Sequence, residues 1–117
     1  MLVELEGFAV KPDKIAKAHE WMAFLQQHQA QVDATLPAEN MQLEHIFSIT
    51  IAQRLYLCWY SNQTAPGADV ATSDNPIDQQ HVAYWTECID ESVRPLKFKL
   101  QNTFVPPAMG QNLNFHN

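Results

Sequence analysis

The segment SDNPIDQQHVAYWTECID (residues 73–90) sets a histidine, a tryptophan and a cysteine within two helical turns. Ile77, His81, Trp85 and Cys88 are spaced four, four and three residues apart, so on a helix they stack on one side. An imidazole partly withdrawn from water there can serve as general base, general acid or ligand donor. It can equally be a core-edge histidine bonded to a strand carbonyl. A second histidine, His45, lies in MQLEHIFSITIAQ (residues 41–53), in step with Leu43 and Phe47. That face is expected to lie under the helices, with Leu55, Leu57 and Trp59 of the third strand, so that His45 and His81 could meet beside Trp59 and Trp85. That composition, an apolar cavity with a few polar groups, is usual for a small-molecule site. The same aromatics would also satisfy plain core packing.

Glu44 neighbours His45 in the chain and therefore points to the opposite face of a strand. It is expected beside Glu4, Glu6, Tyr56 and Tyr60, where carboxylates and phenols could polarise a substrate, bind a cation or line a polar interface. The candidate acid/base residues are thus His81 and His45. The candidate ligand-binding residues are Trp59, Trp85, Phe47, Tyr60 and Glu44. No metal or cofactor is expected. The five histidines show no HxH or HExxH spacing, and three glycines in all leave no phosphate-binding loop. Cys88 lies two turns from His81, about 10 Å along a helix axis, too far for a direct thiolate–imidazole pair. Cys58 reads as a small buried hydrophobe.

These residues need elements to hold them. LVELEGFAV (residues 2–10) alternates as a strand, with Val3, Leu5, Gly7 and Ala9 on one face and Glu4, Glu6, Phe8 and Val10 on the other. Asp13 is a candidate N-cap for a helix whose stripe runs Ile15, Ala18, Met22, Leu25, Val32 and Leu36, ended by Pro37. Residues 41–53 form the second strand, and LYLCWYS (residues 55–61) the third, joined by a short turn near residues 52–54. The composition of residues 62–73 marks a loop. Asn75 then caps a helix with Pro76 at its first position and Asp78 in its first turn, running to about Val93 and stopping before Pro95. LKFKLQNTFV (residues 96–105) alternates as a fourth strand. The domain spans residues 1–105, and residues 106–117 read as an extended tail.

The order β-α-β-β-α-β predicts an α+β, ferredoxin-like fold with both helices on one face of a four-stranded antiparallel sheet. The other face, expected to carry Phe8, Val10, Ile46, Tyr56 and Tyr60 beside the acids, is too apolar to leave in water. A homodimer with two facing sheets, a dimeric α/β barrel, is the expected assembly.

Bulk properties narrow the function classes. The 117 residues make one domain, 46% hydrophobic and 17% charged. A net charge of −6 with seven basic residues argues against nucleic acid. No apolar run is long enough for a membrane span, and the N-terminus lacks a secretory pattern. A cytoplasmic location is the default, and two thiols without CxxC spacing are expected to be free and reduced.

The segments EWMAFLQQH, LEHIFSI, LYLCWYSNQ and SDNPIDQQHVAYWTECID together resemble a small bacterial family, domain of unknown function 6176, over residues 3–100. The resemblance implies the ferredoxin-like, dimeric α+β barrel fold and leaves the tail outside. It implies no activity. Relatives by fold include cofactor-free monooxygenases, polyketide cyclases and muconolactone-isomerase-like enzymes, and fold alone does not choose among them. Two functions stay open: a module that binds a small apolar or aromatic molecule, and a cofactor-independent oxygenase, isomerase or cyclase with a histidine acid/base.

Overall fold

The computed structural model describes residues 1–66 and 73–110, the last two by backbone alone. The order is β1 (Leu2–Ala9), α1 (Ile15–Gln27), α2 (Gln29–Thr35), β2 (Met41–Ile51), β3 (Arg54–Gln63), α3 (Pro76–Cys88), β4 (Leu96–Lys97) and a short α4 (Pro107–Gly110). The architecture is α+β, with an open antiparallel sheet in the order β2-β3-β1-β4. The core lies between the sheet and the helices, built on Val10, Ala18, Trp21, Leu57, Cys88 and Ile89. Phe8, Trp59, Tyr84 and Trp85 pack against it.

Trp21 is its centre. It is fully buried, and its ring lies 5.6 Å from Trp59, 5.3 Å from His81 and 6.2 Å from Trp85. One side chain of α1 thus ties β3 to α3. Removing an indole so placed costs about 3–5 kcal/mol.

The first expected helix is two. His28 takes φ −111° and ψ 33°, and both its amide and its ring Nδ1–H donate to the Phe24 carbonyl, at 3.1 and 2.9 Å. That carbonyl is thereby closed off, and α2 starts afresh at Gln29. Asp13 caps nothing: it lies inside a 3-10 turn, Pro12–Lys14, which leads straight into α1. The α3 start is as expected, with Asn75 Oδ1 accepting the Ile77 N–H at 2.9 Å and Pro76 at the first position. Its end comes earlier, at Cys88. Ile89 turns extended and bridges Val10, while Lys11 N–H donates to the Cys88 carbonyl and Asp90 N–H to the Ala9 carbonyl, both at 2.8 Å. Burying Ile89 against the end of β1 outweighs a last helical turn.

The fourth strand shrinks from ten residues to two. Only Leu96↔Gly7 and Lys97↔Glu6 are paired, followed by one bond from Phe98 N–H to the Leu5 carbonyl. Strand pairing ends at Lys97, and alternation makes a strand only where a partner edge runs beside it. Of the expected loop, residues 62 and 63 belong to β3, and residues 67–72 lie outside the described residues.

The largest correction concerns faces. Ile51 pairs with Arg54, so Ala52 and Gln53 alone form the turn, with φ of 50° and 66°. Two positive φ values mark the I′ type of hairpin, normally built from Asn-Gly. A two-residue turn sets His45 opposite Tyr60 and Glu44 opposite Ser61. The expected longer turn would have done the reverse, because a slip of one residue exchanges both faces of a strand. In β1, Phe8 pairs with Leu57 and Glu6 with Trp59. Phe8, Glu4, Glu6, Glu44 and Ile46 therefore face the helices. Leu43, His45, Phe47, Ile49 and Ile51 face away, beside Tyr56 and Tyr60.

Left-handed backbone at non-glycine residues is strained. Replacing Ala52 and Gln53 together by Asn and Gly should therefore raise unfolding stability by about 1 kcal/mol. Urea denaturation checks this, and an unchanged or lower midpoint would contradict the turn geometry.

Candidate functional site

A cleft of about 1390 Å³ runs between the helix-facing side of the sheet and the helices, opening past the β2 edge. Trp59 and Trp85 form one wall, with ring centroids 5.3 Å apart, and Phe8 lies edge-on to both at 5.9 and 4.6 Å. The aromatic wall follows from period: Trp85 belongs to the α3 stripe, and Trp59 and Phe8 to the helix-facing positions of β3 and β1.

His81 lies in this cleft, held from behind. Trp21 Nε1–H donates to its Nδ1 at 3.1 Å. With Nδ1 accepting, the ring proton sits on Nε2 and the imidazole is neutral. Burial lowers the pKa of His81 below its ordinary value, against a smaller opposing pull from Asp78. The ring as held is a hydrogen-bond donor through Nε2. It can act as a base only by giving up Trp21.

His45 does not join it. Its exposed ring stacks at 6.0 Å on Tyr60, on the opposite face of the sheet, and touches the cleft only at the β2 rim. The convergent histidine pair does not form, because the two-residue turn puts His45 away from the helices. Phe47 shares that outer face and meets the cleft only at its mouth. Tyr60 stands outside the cleft's lining, its hydroxyl donating to Asn62 Oδ1 at 3.2 Å. Glu44 moves the other way, from the expected far face into the cleft.

Glu44 has company that spacing did not reveal. Glu39, from the 3-10 turn Pro37–Glu39, and Asp78, from the first turn of α3, line the same cleft. Burial, then Glu44, then Asp78 push the Glu39 carboxyl up to about 7. Burial also raises the pKa of Glu44. Asp78 reads in sequence only as a helix-start acid, and Glu39 belongs to a turn with no periodicity. Trp21 was detectable, since it falls between Ala18 and Leu25 on the α1 stripe.

Cys58 and Cys88 are free and buried, and burial raises both thiols. They are therefore poor nucleophiles. Among the described residues, no group of three or more His, Cys, Asp or Glu side chains is arranged to hold a metal ion. Nor is any helix long and apolar enough to cross a membrane.

The chain belongs to a family of unknown function, DUF6176, whose model matches residues 1–111. The match extends into the tail that sequence resemblance left outside. No curated protein and no solved structure matches the chain.

A carboxyl whose pKa is raised by folding holds its proton more tightly in the folded chain than in the unfolded one. Its stabilising contribution is full at low pH and is lost as pH rises from the usual carboxylate range through about 7. Glu39→Gln should therefore raise the urea midpoint at pH 8 and leave it nearly unchanged at pH 4. Equal effects at both would refute the raised carboxyl. Trp21→Phe, which frees His81 Nδ1, should move the His81 titration upward in an NMR pH series.

Proposed function

We propose that the protein binds a small organic molecule with an aromatic or apolar body in the cleft between sheet and helices. The observation that carries this reading is the joint lining of Trp59, Trp85 and Phe8 with a few convergent polar groups, His81 Nε2–H among them. Ligand sites are typically concave, mostly apolar and oriented by a small number of such groups. The catalytic alternative, a cofactor-independent oxygenase, isomerase or cyclase, loses its histidine pair. What would remain is His81 polarising a carbonyl and a carboxyl beside it.

The finer fold reading is the ferredoxin-like one, supported by the strand order β2-β3-β1-β4 with the helices on one side. The working assembly is a homodimer through the outer sheet face. Leu43, Phe47, Ile49 and Ile51 stand exposed there, Phe47 at 57%. The strand positions of that face carry one charged side chain, Arg54 beside the turn, which is paired with Asp90 at 3.0 Å, although the chain carries −6. Two copies can therefore approach without repulsion, and isologous pairing is the commonest assembly. The two buried, unbridged thiols fit a reducing, cytoplasmic setting.

Mass spectrometry of compounds released from the natively purified protein tests the ligand reading. An aromatic or apolar compound should be present, and Ser48→Trp, which narrows the mouth from an exposed position, should deplete it. Nothing released, or no depletion, would end the reading. Sedimentation should show a dimer, converted to monomer by Ile49→Asp.

A further inference from the structure

The cleft carries a charge pattern that its aromatic walls do not explain. Its lining includes Glu4, Glu6, Asp33, Glu39, Glu44 and Asp78, and neither a lysine nor an arginine. Three of the six are accounted for. Lys97 Nζ bonds Glu6, Gln63 Nε2 donates to Glu4, and Gln29 Nε2 donates to Asp33. The other three, Glu39, Glu44 and Asp78, receive no side-chain hydrogen bond from any described residue.

Asp78 is the telling member. It is only 9% exposed and lines the cleft. An acid at the third position of a helix ordinarily bonds back to the amide of the capping residue. Here that amide, Asn75 N–H, donates instead to Ser73 Oγ at 3.1 Å. The Asp78 carboxylate is left without a donor among the described residues, its oxygens open to the cleft although the residue is largely buried. Carboxylates gathered in a cleft with apolar walls and no basic side chain favour a bound counter-charge. The adjoining indole walls, Trp59 and Trp85, suit an organic cation with an aromatic or apolar body.

We infer that the cleft selects a cationic ligand, an ammonium group seated among Glu39, Glu44 and Asp78 with an aromatic or apolar body against Trp59 and Trp85. Indole faces attract cations as well as apolar surface, so wall and acids favour the same chemistry. The inference rests on the cleft being a ligand site. It also has a protonic consequence. In the empty cleft Glu39 is pushed up by burial and by two neighbouring carboxylates. A bound ammonium reverses the electrostatic part of that push, so binding near neutral pH releases a proton. The charged groups acting on Glu39 there are Glu44 of β2 and Asp78 of α3.

Titration calorimetry on the whole protein with three compounds of similar size tests this: 2-phenylethylamine, 2-phenylethanol and 3-phenylpropionate. The amine should bind roughly tenfold or more tighter than the alcohol, and the acid weakest of all. The amine's heat should vary with buffer ionisation enthalpy in the sense of proton release. Asp78→Asn with Glu44→Gln should cost the amine roughly tenfold and leave the alcohol unchanged. Far-UV circular dichroism of that variant confirms its fold. Equal affinity for alcohol and amine, or an amine affinity unmoved by the substitutions, overturns the cationic assignment and leaves the ligand site standing. Failure of all three to bind at millimolar concentration overturns both.

Discussion

The two-residue turn at Ala52 and Gln53 is the constraint on which the rest depends. A β-strand has only two faces, and the turn decides which face of β2 meets the helices. With this turn Glu44 and Ile46 look inward, and His45, Phe47 and Ile49 look outward. The acidic character of the cleft and the apolar character of the outer face are thus two results of one register. The strain accepted at two non-glycine residues shows how strongly the strand pairing on either side holds that register.

Much of the architecture was legible in the sequence, because elements announce themselves by period. The order of strands and helices, the cap at Asn75 and the packed stripe of α3 all follow from spacing and from Pro and Asn chemistry. The faces were not legible. Asn-Gly would have announced a two-residue turn, and Ala-Gln announces nothing. Misreading the turn by one residue sent His45 inward and Glu44 outward, and β1 was misassigned with them. The shortened β4 has another cause: alternation at residues 96–105 records a capacity to pair, while pairing itself depends on a neighbouring edge. Of the candidate site residues, Trp59 and Trp85 sit where expected because they lie on the core side of elements whose period is unambiguous. Glu39 was hidden because a turn has no period to read.

The site itself divides into a rigid half and a responsive half. Trp21 holds the rigid half, locking the imidazole of His81 into one tautomer while packing against both other tryptophans. The responsive half is carboxylic. Glu39 and Glu44 come from a turn and the outermost strand, where small movements change their separation from Asp78. The imidazole is therefore fixed in both position and protonation, whereas Glu39, its carboxyl pushed up to about 7, changes its charge near neutral pH.

The position of β2 at the rim of the sheet leaves a length of backbone without a neighbour among the described residues. It is an eleven-residue edge strand, MQLEHIFSITI, with no lysine and no proline to blunt it. Proteins that must keep an edge strand solitary usually interrupt it with such residues or with a bulge. Here the only irregularity lies at its very start, between Met41 and Leu43. The unpaired backbone along its outer edge is therefore a ready template for the addition of a further strand.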